Sequence, residues 1–379
     1  MSKIKIFGMI FIISANFLFA KNFKFASMSD SRGSDNGVNT PVLTALINHM
    51  LKTNPDVKFI VFAGDMVNGH RNNPERTKRE LLHWKEVMAP VYNHPGIVWP
   101  AIWPLVGNHE VRHRKDEDNF REIFQDVFMN GPVEQKGLTY SFDFGNSHFC
   151  LLSSDAWYYG DLEDTTDDHP DWHQIKYIDW FENDLKAARE RGVKHIFTFS
   201  HEMPFPTGGH LRDGLPNLGR NFKGKIDSTR KYYLDRQNKF WEIMKKYNAD
   251  AHICGHEHLY SRQEVDSVFQ ILSGSSGAPL YNFNPLPKDS VRDTTRMGYN
   301  EMTYKRAIPY YETLHYSYGP GKKSQRSENF VGYKAFNYSL FEVTDDSVIV
   351  KTYGAFPTKT SNTTMGSEIQ LLDEFVIKK

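Results

Sequence analysis

Seven side chains able to bind metal or move a proton stand directly after apolar stretches of this chain. Asp30 follows FKFASMS (23–29), and Asp65 follows VKFIVFAG (57–64). Asn108 and His109 follow the run that closes on Gly107. His201 follows HIFTFS (195–200), and His256 with His258 follows ADAHIC (249–254). Two carboxylates, one amide oxygen and several imidazoles make a donor set that suits divalent transition metals better than Ca²⁺, which takes shells of oxygen. Gly64, Gly107 and Gly255 each precede one of these residues, and a residue without a β-carbon permits the sharp turn that aims the next side chain. His256 and His258, two apart, share one side of an extended segment; a turn between them would instead face them to two neighbouring metals.

Elements of regular structure must carry these residues to one place. Phe23 to Ser29, Val57 to Ala63, Val98 to Val106, His195 to Ser200, Ala249 to Cys254 and Phe269 to Ser273 read as strands. Leu138 to Asp143 and His148 to Ser153 flank Gly145-Asn146 as a hairpin. Leu43, Leu46, Ile47, Met50 and Leu51 fall on one helical stripe opened at Pro41. Asn73 to Met88, Ile175 to Arg191 and Gln237 to Tyr247 are also helical in pattern. Phe336 to Val343 and Val348 to Tyr353 form a last strand pair. Strands alternating with helices, then hairpins, favour an α/β core of parallel strands with antiparallel additions. In such sheets ligands bind at the carboxyl ends of the strands, so residues 30, 65, 108, 201 and 256–258 are expected to converge. The loop-rich stretches Asp155–Trp172 and Asn282–Tyr333 are expected as pocket rims.

The segments Asp30-Ser31-Arg32, GDMVNG (64–69), GNHE (107–110), SHEMPFP (200–206) and GHEHLYSR (255–262) resemble, in order, the five blocks of the calcineurin-like metallophosphoesterases. The branch most similar is that of the purple acid phosphatases, because ILSGSSGAPLY (271–281), the hairpin 140–155 and the strand pair 336–354 are similar as well. The resemblance covers about residues 23–354. It implies a four-layer αββα sandwich of two sheets, within a mixed α/β class. It implies that Asp65 bridges two divalent metal ions, that Asn108, His201 and His256 complete one shell, and that Asp30 and His258 hold the other metal. A metal-bound hydroxide would attack phosphorus of a phosphomonoester or phosphodiester, with His109 donating a proton to the leaving oxygen or stabilising its charge.

Two positions depart from the family pattern. Most members have His two residues after the first Asp, where this chain has Arg32, and Arg has no lone pair to give a metal. The purple branch has a metal-binding Tyr where this chain has Asn68. Both changes fall on the metal of Asp30 and His258. That site is expected to be weak, or completed by the Asn68 carbonyl and water, and Zn²⁺, Mn²⁺ or Fe is expected rather than a purple iron(III) centre. Arg32 is expected either to grip phosphate oxygens in a fork or to pair with Asp30 or another acid. A binding protein for a phosphorylated ligand or surface partner, catalytically weak, is the competing reading that Arg32 supports.

The composition agrees with a folded enzyme. The 379 residues carry 46 basic and 46 acidic side chains and 39% hydrophobic residues, which excludes a disordered chain and gives no sign of a nucleic-acid binder. Residues 1–20, MSKIKIFGMIFIISANFLFA, have the basic, apolar and small-residue regions of a signal peptide cleaved after Ala20. The expected product is an exported protein, periplasmic, cell-surface or secreted, with no membrane span after cleavage and a single domain over residues 21–379. Cys150 and Cys254 read as buried thiols. His70 and His210 lie near the blocks and read as loop histidines. Tyr260 and Arg262 are as suited to lining the pocket as to packing. Trp157, Tyr158, Tyr159 and Trp172 are as suited to a substrate wall as to anchoring their loop to the core, and the acidic run 161–168 reads as a solvated loop or a rim that repels polyanions.

Overall fold

A computed structural model describes residues 22–155, 175–205, 207, 239–282, 324–326 and 330–379. Within them the strands run β1 (Phe23–Met28), β2 (Arg32–Asp35), β3 (Val57–Ala63), β4 (Ile102–Leu105), β5 (Tyr140–Phe144), β6 (Ser147–Leu151), β7 (His195–Phe199), β8 (Ala251–Cys254), β9 (Tyr260–Val265), β10 (Val268–Ser273), β11 (Ser324–Arg326), β12 (Phe330–Tyr333), β13 (Phe336–Val343), β14 (Ser347–Ala355) and β15 (Gln370–Lys378). The helices are α1 (Thr40–Thr53), α2 (Pro74–Val87), α3 (Ala89–Tyr92), α4 (Asp116–Ile123) and α5 (Ile178–Glu190), with a further helical segment at 239–246.

Alternation along the strands dictates two sheets face to face. Phe23 and Phe25 of β1, Phe59 and Val61 of β3, Phe149 and Leu151 of β6 and Phe197 and Phe199 of β7 all point into one shared core. Their neighbours point the opposite way: Ala26, Met28, Ile60 and Phe62 meet α1 and α2, while Cys150 and Ile196 meet α5 and the 239–246 helix. Strands apolar on both faces need cover on both faces, and the result is helix, sheet, sheet, helix. The inter-sheet core is largely aromatic. Phe25 stacks on Phe341 at 4.4 Å between centroids and meets Phe149 edge-on at 5.0 Å.

The first sheet is ordered β15-β14-β13-β1-β3-β4, the second β11-β12-β9-β10-β8-β7-β6-β5. β1, β3 and β4 are parallel neighbours, as are β6, β7, β8 and β10. The remaining pairs are antiparallel. The carboxyl ends of β1, β3 and β4 in one sheet therefore open beside those of β7 and β8 in the other.

The expected strands and helices are found, with informative differences. β4 covers only Ile102–Leu105 of the run expected from Val98. β12 lies inside the stretch expected to be loop. β9 and β15 were not expected. β9 reads YSRQEV, and its buried Gln263 donates its side-chain amide to the Phe205 carbonyl at 2.8 Å. β15 has no clean two-residue alternation, and its pairing with β14 shifts register between Thr352 and Tyr353. The 155–172 rim lies outside the described residues beyond Asp155.

A buried ion cluster ties the β5–β6 hairpin to α5. His148 Nδ1 lies 2.6 Å from Asp143 Oδ1 and its Nε2 lies 2.8 Å from Asp184 Oδ2. Burial lowers the His148 pKa, and the two aspartates outweigh it, raising the ring above 6.5. The contribution is complete below the unfolded value and fades as pH rises through the elevated folded one. Replacing His148 with Gln should cost about 2 kcal/mol at pH 6, with a smaller gap at pH 9. Urea unfolding at the two pH values checks this.

Candidate functional site

Three of the expected site residues sit in backbone that side chains rarely adopt. Asp30, Asp65 and His256 have φ of 54°, 53° and 69°. Left-handed residues with a β-carbon cost on the order of 1–3 kcal/mol each and gather at functional sites. Main-chain bonds hold them there. Asp30 N donates to Gly64 O at 3.0 Å and Ser31 N to Asp65 O at 2.9 Å, joining the loops after β1 and β3. Gly255 N donates to His201 O at 3.0 Å, joining those after β7 and β8. Gly64 is required by contact as well as by its φ of 85°: a Cβ there would lie 2.6 Å from His201 Nδ1. At Gly107 a Cβ would overlap Asp65 Oδ1.

Asp30, Asp65 and His201 bring ligand atoms within 4.8 Å of one another, all buried. His201 Nδ1 donates to the Ala63 carbonyl at 2.8 Å, which turns Nε2 toward Asp65 Oδ1 at 3.3 Å and His256 Nδ1 at 3.3 Å. A proton or a cation has to lie among these acceptors. Burial lowers the His201 pKa, but the charges of Asp65, Asp30, Asp155 and Glu202 hold it up at about 10. His258 Nδ1 donates to the Pro279 carbonyl at 2.8 Å and directs Nε2 at Asp30 Oδ1, 3.4 Å away. Asp30 Oδ1 and Asn108 Oδ1 are buried without a hydrogen-bond partner among the described residues. Buried acceptors are otherwise almost always satisfied. This donor set, with two orphaned oxygens and imidazoles oriented by carbonyls, fits a divalent metal. His256 and His258 face different partners, as the turn at His256 requires.

Arg32 does not join the donors. Its Nε lies 3.6 Å from Asp65 Oδ2, so the acid it meets is Asp65. Asn68 donates its side-chain amide to the Gly33 carbonyl at 2.5 Å, and its backbone carbonyl faces His109 Nδ1 at 2.5 Å. That carbonyl can only accept, so Nδ1 carries the proton. Arg112 Nη2 lies 2.8 Å from His109 Nε2 and can only donate, so Nε2 carries none. His109 is therefore neutral in this arrangement. Burial first, then the Arg32 and Arg112 charges, lower its pKa to about 3 against the pull of Asp65.

Four residues of the site were not singled out from sequence. Glu110 is fully buried and accepts from the main-chain N–H of Asp65, Val67 and Gly107 at 2.7, 3.1 and 2.8 Å; its place inside GNHE was the available signal. Burial and the Asp65 charge push its carboxyl upward, against the pull of those donors. Glu202 Oε2 lies 3.4 Å from His256 Nε2, which puts an acid beside that ring. Tyr281 stacks on His258 with centroids 4.1 Å apart. Arg112 has no sequence signature beyond its distance from GNHE. Other expected residues fall elsewhere. Tyr260 OH and Arg262 Nε both bond Asp373 Oδ2, at 2.9 and 2.6 Å, and pack instead of lining the site. His70 Nε2 lies 2.6 Å from Glu80 Oε1, and both cysteines are buried free thiols. His210, Trp157, Tyr158, Tyr159 and Trp172 lie outside the described residues.

Glu110→Gln puts an N–H₂ group against main-chain donors. It should destabilise the chain by roughly 1–3 kcal/mol, seen as a lower urea midpoint. Gly107→Ala should weaken metal uptake before it unfolds the chain, because the new methyl displaces Asp65; calorimetric metal titration beside a thermal melt separates the two effects.

Comparison with known proteins agrees with this geometry. The family model described as calcineurin-like phosphoesterase matches residues 34–260. Acid phosphatase type 7 of Mus musculus is 27% identical over 179 residues, 46% of this chain and 36% of that protein. The aligned region thus spans about a third of the relative's length. Among solved structures, a purple acid phosphatase from yellow lupin (Lupinus luteus) seeds aligns with TM-score 0.56 and 12% identity, over 94% of this chain and 54% of that one. GAP50, an anchor in the inner membrane complex of Plasmodium, aligns with TM-score 0.50 and 14% identity over 95% and 90%. These likenesses show the same fold, an α/β sandwich of two mixed sheets. By the extent of the family match and the order of its sequence blocks around one site, the chain belongs to the calcineurin-like phosphoesterase family.

Proposed function

We propose that this protein is a metal-dependent phosphoester hydrolase, released outside the cytoplasm after cleavage behind Ala20. The observation that carries the catalytic reading is the pair of orphaned buried oxygens, Asp30 Oδ1 and Asn108 Oδ1, beside the Asp65–His201 pair. Asp65, Asn108, His201 and His256 would hold one divalent ion, and Asp30 and His258 would be the residues left to offer a second ion in the family's dinuclear pattern. Bound metal supplies a Lewis acid for phosphate oxygens and acidifies water into a nucleophile.

The residues of the chain do the positioning. Arg32 stands beside Asp65, where a guanidinium can fork onto phosphate oxygens. His109, next to Asn108, is placed to serve the leaving oxygen. With Nδ1–H on the Asn68 carbonyl, it delivers a proton only after Nε2 has gained one and released Arg112. The export reading rests on residues 1–20; among the described residues no helix is long and apolar enough to cross a membrane.

The purified protein should hydrolyse a chromogenic phosphomonoester or phosphodiester when supplied with Mn²⁺ or Zn²⁺, and chelation should abolish the turnover. Asn108→Ala should lower the rate by about a hundredfold or more, since even residues behind metal ligands carry 10- to 100-fold effects. Turnover that survives chelation would refute the reading. Metal uptake with no turnover of either ester would favour the binding-protein alternative, to which the Arg32 substitution lends support. N-terminal sequencing of the exported product should begin at Lys21.

A further inference from the structure

Asp65 divides its two oxygens between different kinds of partner. Oδ1 faces His201 Nε2 at 3.3 Å, and the main-chain N–H of His109 donates to it at 3.0 Å. Oδ2 faces Arg32 Nε at 3.6 Å and His109 Nε2 at 3.8 Å. Arg32 extends onward, with Nη2 3.5 Å from the hydroxyl of Tyr281, the ring stacked on His258. The guanidinium thus lies between Asp65 and the Tyr281–His258 stack, on the side where the family's second metal would draw its ligands. Its Nε is buried without a hydrogen-bond partner among the described residues, and so is the Nε of Arg112. Arg112 approaches the same cluster through His109, at 2.8 Å.

We propose that this site binds a single divalent ion, at Asp65, Asn108, His201 and His256, and that the guanidinium of Arg32 replaces the second metal. Arg112 joins it in holding an oxyanion of phosphate-ester type. The inference deepens the hydrolase reading and rests on it.

Three physical points support the substitution. A guanidinium is always protonated and offers no lone pair, so Arg32 cannot complete a shell with Asp30 and His258. Its fixed charge opposes a divalent ion placed a few ångströms away, in a setting too dry to screen it. Asn68, at the other altered position, has its side-chain amide on Gly33 O and its carbonyl on His109 Nδ1. The charge that a second metal would have provided to Asp65 is supplied by Arg32. An arginine fork also offers directed donors that a metal does not, and with Arg32 on Asp65 and Arg112 on His109 the chain brings two forks to the same Asp65–His109 pair.

The test is metal stoichiometry, read by calorimetric titration of chelated protein with Mn²⁺ or Zn²⁺ and by elemental analysis of the loaded chain. Wild type should take one ion tightly and a second at least a hundredfold more weakly. Arg32→His should take two. Arg112→Gln should keep the wild-type stoichiometry and bind inorganic phosphate at least tenfold more weakly. Two equally tight ions in wild type, a single ion in Arg32→His shown to be folded by its thermal melt, or unchanged phosphate affinity in Arg112→Gln would overturn the proposal. If Arg32→His does not fold, the wild-type stoichiometry still decides. Absence of any bound ion would overturn the hydrolase reading as well, whereas two ions with turnover would leave that reading intact and remove this one.

Discussion

Two carboxylates are held out of water at the meeting edge of two sheets, and that constraint organises the rest of the site. Asp30 and Asp65 are both buried, and buried charge of one sign is tolerated only when cations or donors answer it. The answers come from every element that reaches the edge: His201 from β7, His258 after β8, Arg32 after β1, and the main-chain N–H of His256 and His109. Burial disfavours the charge on Asp65, but the His201 imidazole, the Arg32 guanidinium and the main-chain N–H of His109 outweigh it and hold the carboxyl well below its ordinary range. The electrostatics that stabilise these acids are those that would recruit a metal.

The aromatic core makes that edge rigid. The Phe25–Phe149 and Phe25–Phe197 contacts run between the two sheets, with Phe341 stacked on Phe25 from the neighbouring strand of the same sheet. Glu110 then fixes the loops themselves, receiving three N–H groups from the turns after β3 and β4. A carboxylate used in this way is a structural analogue of a metal: it draws several backbone dipoles to one point, at the cost of its own desolvation. The positive φ values of Asp30, Asp65 and His256 persist because main-chain bonds among the four loops, and that of Asp65 to Glu110, over-determine them.

Much of this was legible in the amino-acid order. Runs such as VKFIVFA and HIFTFS carry apolar residues on both alternating faces, so they read as strands covered on both faces, and the polar residue after each run marked a carboxyl end. The spacing of GNHE and GHEH carried the family. The readings that came up short involved residues whose partners are remote. β15 is amphipathic only in the context of β14, Gln263 is a buried glutamine only because the Phe205 carbonyl is there, and Tyr260 was equally suited to pocket or core until Asp373 from the last strand took its hydroxyl.

By itself, the sequence determined an α/β core and the identity of the ligand-type residues, through local periodicity and residue chemistry, while the layered sandwich and the departures at positions 32 and 68 were legible only through its resemblance to the family. Only the tertiary structure decided which acid Arg32 meets, which nitrogen of His109 holds its proton and that Arg112 stands behind it. Those facts depend on atoms brought within a few ångströms by two sheets packing together, and no local pattern encodes a distance between residues 32 and 65 or between 68 and 109.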